Sequence, residues 1–156
     1  MCIRDRNTGL ISLAIVVNTA KQTLYALEPC ILFDKHDQKW FEPLVSDAVY
    51  LHTLIFTTQT WFNILLERTG GVATQLASPH LSKALRLLRE RLSVKQDEAM
   101  TDTTISIVMT LAGHAHLKGE YDAARYHLQG LRNMISLRGG IITYRRQPKL
   151  LMELLR

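Results

Sequence analysis

The feature that most narrows what this chain can fold into is the stretch Thr101–Gly140, where apolar residues recur at three- and four-residue intervals on both sides of one short break. After the break, Tyr121, Ala124, Leu128, Leu131 and Ile135 share one stripe of a helix with 3.6 residues per turn. Before it, Ile105, Val108, Met109, Ala112 and Ala115 do the same. The break is Lys118-Gly119-Glu120, a glycine stop, after which Glu120 and Asp122 put negative charge in the first turn of the next helix, where the macrodipole favours it. The spacing predicts an αα-hairpin over about residues 101–140, with the earlier chain forming the wall against which it packs. The expected fold class is all-α, an irregular helical bundle built around that central hairpin.

The flanking segments fit this expectation. Ser46 or Asp47 is a good N-cap for a helix running from Ala48 to about Leu66. That helix is apolar all round, a composition suited to the centre of a bundle. Glu67 to Gly71 stops it, with Gly70 in a left-handed cap. Ser78-Pro79 opens an amphipathic helix with Leu81, Leu85, Leu88 and Leu92 inward and Lys83, Arg86, Arg89, Glu90 and Arg91 outward. Thr101 or Asp102 caps the first hairpin arm, Gly139-Gly140 ends the second at a positive-φ position, and Gln147-Pro148 opens a last helix. Near the start, Leu10, Leu13, Val17, Leu24 and Leu27 fit a helix, and Ile15-Val16-Val17 suits a buried strand equally well. Pro29 and the polar run from Asp34 to Lys39 lead as a loop to Trp40-Phe41. Residues 1–8 read as non-native or disordered, and residues 1–156 as a single helical domain, itself a fragment.

Composition removes several function classes. At 156 residues, 47% hydrophobic and 21% charged, the chain can bury a core and is not a disordered tail. The net charge of +5 follows helix faces, and its lysines and arginines are not interleaved with the aromatic platforms that single-strand binding uses. Two cysteines, Cys2 and Cys30, exclude a disulfide scaffold and any multi-cysteine zinc module. The run Leu10–Val17 is far short of the roughly 20 apolar residues a membrane helix needs, so no membrane partner is expected.

The residues that carry chemistry form no recognisable site. His114 and His116, two apart, point about 200° from each other around a helix and cannot share one metal ion. Cys30 and Ser78 have no histidine or carboxylate at motif spacing, and Gly70-Gly71 and Gly139-Gly140 lack the pattern of a phosphate loop. No catalytic, cofactor-binding or metal residue is assigned, and the chain is read as a non-enzyme. His52, His114 and His127 are the residues on which a small-molecule or catalytic reading would rest. His127 itself reads as a partly buried, hydrogen-bonded side chain.

Four strings carry a resemblance. Asp47–Phe56 (DAVYLHTLIF), Leu85–Leu92 (LRLLRERL), Asp102–Ile105 (DTTI) and His127–Gly140 (HLQGLRNMISLRGG) are similar, in order and in gaps, to the C-terminal regulatory region of fungal zinc-cluster transcription factors. The resemblance covers about residues 40 to 145. Its most specific part is H-x-x-G-L-x-x-M-I-x-x-R-G-G, which singles out His127, Gly130, Leu131, Met134, Arg138, Gly139 and Gly140 as structural residues of the motif. It implies an all-helical, nuclear regulatory domain acting through intramolecular contacts, partner proteins or a small effector. It further implies that zinc and DNA contact belong to an N-terminal six-cysteine module absent here. Gly130 is expected to admit a neighbouring helix closely, and Arg138 to meet the carbonyls of its own helix end. A second resemblance is open: Lys118-Gly119-Glu120-Tyr121-Asp122-Ala123-Ala124 is similar to the turn of a tetratricopeptide repeat, which implies a protein-binding scaffold.

Overall fold

A computed structural model describes residues 42–68, 78–93 and 99–155, and these are helical, with no strand among them. The expectations for residues 1–41, including Cys2, Cys30 and the helix-or-strand segment, and for the Gly70 cap lie outside the described residues. In order, the helices are α1 (Glu42–Ser46), α2 (Ala48–Arg68), α3 (Ser78–Leu92), α4 (Asp102–Leu117), α5 (Tyr121–Leu137), a 3-10 helix (Ile141–Arg146) and α6 (Pro148–Leu155). The all-α expectation is met. The chain divides into two compact units, Met1–Ser82 and Lys83–Arg156.

In the first unit Asp47 is the cap of α2: its Oδ1 accepts from Val49 N at 2.9 Å and Tyr50 N at 3.1 Å. These are two of the donors that a helix start leaves without an internal partner. The buried line of α2 is Val49, Thr53, Phe56 and Thr57. Thr57 Oγ1 donates back to Thr53 O at 2.9 Å, which keeps a buried hydroxyl satisfied inside the helix. The large residues Tyr50, Leu54, Ile55, Trp61 and Phe62 are only half-covered. The expectation that α2 is the enclosed central helix is therefore corrected. Its tightest line combines Val49 and Phe56 with the smaller Thr53 and Thr57, and its other large residues are covered on one side only.

The most enclosed element is α4, in the second unit. Thr104, Ile105, Ile107, Val108, Leu111, Ala112 and Ala115 are all buried, covering nearly half of its circumference. Met109, expected inward, is half-covered. Thr101 is the N-cap, its Oγ1 accepting from Thr104 N at 3.2 Å. Within this unit α3 buries Ala84 and Leu88, while Leu92 is 45% exposed at its end.

The αα-hairpin stands where the spacing places it, and both arms stop by the same device. At Gly119 the paired bonds are Glu120 N to Ala115 O (2.9 Å) and Gly119 N to His116 O (3.0 Å). At Gly139 they are Gly140 N to Ile135 O (2.9 Å) and Gly139 N to Ser136 O (3.1 Å). Both are Schellman closures, which need a left-handed residue just past the cap. Gly119 (φ 75°) and Gly139 (φ 97°) supply it without the strain a Cβ would bring.

The roll of α5 differs from the expectation. Ala124, Leu131 and Met134 are buried, with His127 half-covered between them and Arg138 completing the line. Tyr121 and Leu128, expected inward, are 67% and 54% exposed. The helix carries two lines one step apart, 124-127-131-134-138, which mixes Ala, Leu and Met with His127 and Arg138, and the apolar 121-128-135, and periodicity permits either to face inward. What selects the first is the anchor at its end, Arg138.

Candidate functional site

The end of the sequence's specific motif, Arg138-Gly139-Gly140, lies at one corner of the second unit, where the end of α5, the start of α4 and the 3-10 helix meet. Arg138 lies just past the last turn of α5, on its inward line. Its guanidinium Nη1 donates to Asp102 Oδ1 in the first turn of α4, forming an ion pair between half-buried side chains. Its Cζ also stands 5.0 Å from the centroid of the Tyr144 ring, a cation–π distance. Tyr144 is 1% exposed and comes from the 3-10 helix that the two glycines release. Three elements are thus fastened by one side chain.

The electrostatics of this corner are those of a fastener. Burial works against the Arg138 charge, but the hydrogen bond and charge of Asp102 outweigh it and raise the guanidinium above its ordinary value. Burial likewise pushes the Tyr144 phenol up, with Arg138 pulling the other way. The Tyr144 hydroxyl is buried without a hydrogen bond of ordinary geometry, so the adjacent guanidinium is its main polar company. Beside Asp102, the Thr101 and Thr104 hydroxyls lie 2.9 Å apart, and Arg91 Nη1 donates to Thr104 Oγ1 at 3.4 Å. The start of α4 is held from two sides by arginines of other elements.

The other motif residues separate into those that do the packing and those that do not. Leu131 and Met134 are core, and Gly139 and Gly140 carry positive φ, the turn the motif implies. A Cβ built on Gly130 meets nothing within 4 Å, so the expected close approach of another helix is corrected: that glycine faces open space. Arg138 is corrected too, since it grips Asp102 and Tyr144 rather than the carbonyls of its own helix. Asp102 and Tyr144 escaped sequence reasoning as partners of Arg138. Only the short R-G-G-I-I-T-Y spacing pointed toward Tyr144, and nothing local pointed to Asp102, 36 residues away.

His52, His114 and His127 do not come together in one site. His52 Nδ1 is 2.8 Å from His80 Nδ1, an arrangement in which one ring must donate and the other accept. His114 and His127 are both lowered from their ordinary value of 6.5. Burial is the first cause in each case; for His114, the positive charge of Lys118 adds to it. Among the described residues, no group of three or more His, Cys, Asp or Glu side chains could hold a metal ion. Two cysteines cannot supply the six thiolates of a binuclear zinc cluster, so that group does not fit this chain. No described helix is long and apolar enough to cross a membrane.

The family described as fungal specific transcription factor domain matches residues 30–155, extending past both ends of the resemblance seen in the four strings. No curated protein and no solved structure matches the chain. With well over half of its length inside that match, the chain belongs to the fungal-specific transcription factor domain family, a family of transcription regulators and not of enzymes.

Proposed function

We propose that this chain is the regulatory, non-DNA-contacting part of a fungal transcription regulator, acting in the nucleus through contacts with other segments of its parent protein or with partner proteins. The observation that carries the reading is the family match over residues 30–155. The Arg138 corner supports it, because its charged groups are used in joining α4, α5 and the 3-10 helix and not in presenting a reactive centre. DNA recognition is left to a zinc module for which this chain has no ligand set, and no cofactor is assigned to the chain itself. The tetratricopeptide alternative draws less support. Such repeats need about three copies to bury their faces, and among the described residues one αα-hairpin is present.

The test is to fuse the chain to an unrelated DNA-binding module in a fungal reporter strain. Reporter output should change relative to the module alone, and Leu131→Asp should abolish the change by unfolding the hairpin. Unchanged output with a folded, nuclear fusion would overturn the reading, as would specific duplex binding by the isolated chain in a gel shift.

A further inference from the structure

The second line of α5 stays largely exposed, although the Tyr121 ring meets the His116 ring edge-on with centroids 5.6 Å apart. Tyr121 and Leu128 are 67% and 54% exposed, and Ile135, on the same line, is half-covered. Arg125 and Arg132 fall between them, so that Tyr121, Arg125, Leu128, Arg132 and Ile135 follow a three-and-four spacing along one side of the helix. Both arginines are exposed, and among the described residues neither has an ion-pair partner. The strip is about 21 Å long, close to four turns, at 1.5 Å rise per residue.

We propose that this strip docks an amphipathic helix of a partner protein whose apolar face is flanked by carboxylates. The proposal rests on the regulatory reading above and gives its partner a chemistry. Apolar side chains seven residues apart meet the seven-residue repeat of a second helix lying alongside. The two arginines, also seven apart, fall on successive two-turn steps and pair with Asp or Glu at the same interval on the incoming helix. Charge decides among occupants. A second copy of the chain would bring arginines against arginines on a protein already at +5, whereas an acidic helix relieves that repulsion. Nucleic acid would use the arginines but leave Leu128 and Ile135 facing phosphates.

The experiment uses the full chain and a fluorescein-labelled synthetic peptide of about eighteen residues, with leucines on a helical stripe and glutamates flanking it. Two controls accompany it: the same peptide with lysine for glutamate, and a scrambled peptide of identical composition. Anisotropy should show saturable binding of the glutamate peptide and at least tenfold weaker binding of both controls. Arg125→Glu with Arg132→Glu should weaken the glutamate peptide at least tenfold and bring the lysine peptide on, with circular dichroism unchanged. Leu128→Ser should weaken binding without changing the charge preference. Four results would overturn the proposal: equal binding of the scrambled peptide, no effect of the double charge reversal, displacement of the peptide by duplex DNA, or a self-association in sedimentation that Leu128→Ser abolishes. A silent reporter with intact peptide binding would sink the regulatory reading and leave the docking strip standing. A responsive reporter with no peptide binding would do the reverse.

Discussion

The contributions of Arg138 and Asp102 at their shared corner can be resolved by substitution. Replacing Arg138 with Ala should cost about 1–2 kcal/mol, the sum of a partly exposed ion pair and one cation–π contact. Arg138→Lys keeps the charge but loses the planar fork that serves Asp102 and stacks on Tyr144, so it should recover less than half of that. A double-mutant cycle with Asp102→Asn, read by urea denaturation, gives the coupling. A value near zero would mean that the pair is ornamental. The motif glycines divide in the same way. Gly139→Val should lose about 1–3 kcal/mol, because φ 97° is strained for any Cβ and Thr143 Cγ2 already lies 3.2 Å from where that Cβ would stand. Gly130→Ala should instead gain up to about 1 kcal/mol, since it sits inside α5 with open space around it. Equal thermal shifts for the two variants would refute this division.

At the level of the helix, the roll of α5 is the claim most open to test. Leu131→Asp buries an unpaired charge and should unfold the hairpin, at a cost of at least about 3 kcal/mol. Leu128→Asp, three positions away on the exposed line, should stay within about 0.5 kcal/mol of the parent. The reverse order in melting temperature would show that the helix faces the other way. The hairpin, its turn at Gly119, the cap at Asp47 and the stop at Gly139 were legible because each rests on neighbours within a few residues. The roll was not. Two lines of equal spacing lie side by side on α5, and the tie is broken by a contact 36 residues distant, between Arg138 and Asp102. The burial of α2 was misjudged for a related reason: hydrophobicity all round a helix shows that it touches neighbours, not how closely each side is covered.

For the chain as a whole, the pH dependence of stability follows from the hairpin histidines. Burial lowers both His114 and His127 from 6.5, so the unfolded chain takes up protons at a higher pH than the folded one. Their contribution to stability is therefore complete above about pH 6.5 and is lost as pH falls through the lowered folded values. The urea midpoint should drop between pH 7.5 and 5.5, and His114→Gln with His127→Gln should flatten that drop. An unchanged slope in the double variant would place the proton uptake elsewhere. The all-α class was legible from composition and period alone, whereas a functional site was not, because the charged end of the specific motif, Arg138, is used in joining helices.

The matching glycine closures at the two ends of α5 carry one more implication. They fix the number of residues between the hairpin turn and Arg138, and each added or deleted residue would swing that arginine by about 100° around the axis and away from Asp102. Relatives that keep the anchor should therefore differ between Gly119 and Gly139 by substitution and hardly ever by insertion or deletion, with length variation displaced into the segments outside these two stops.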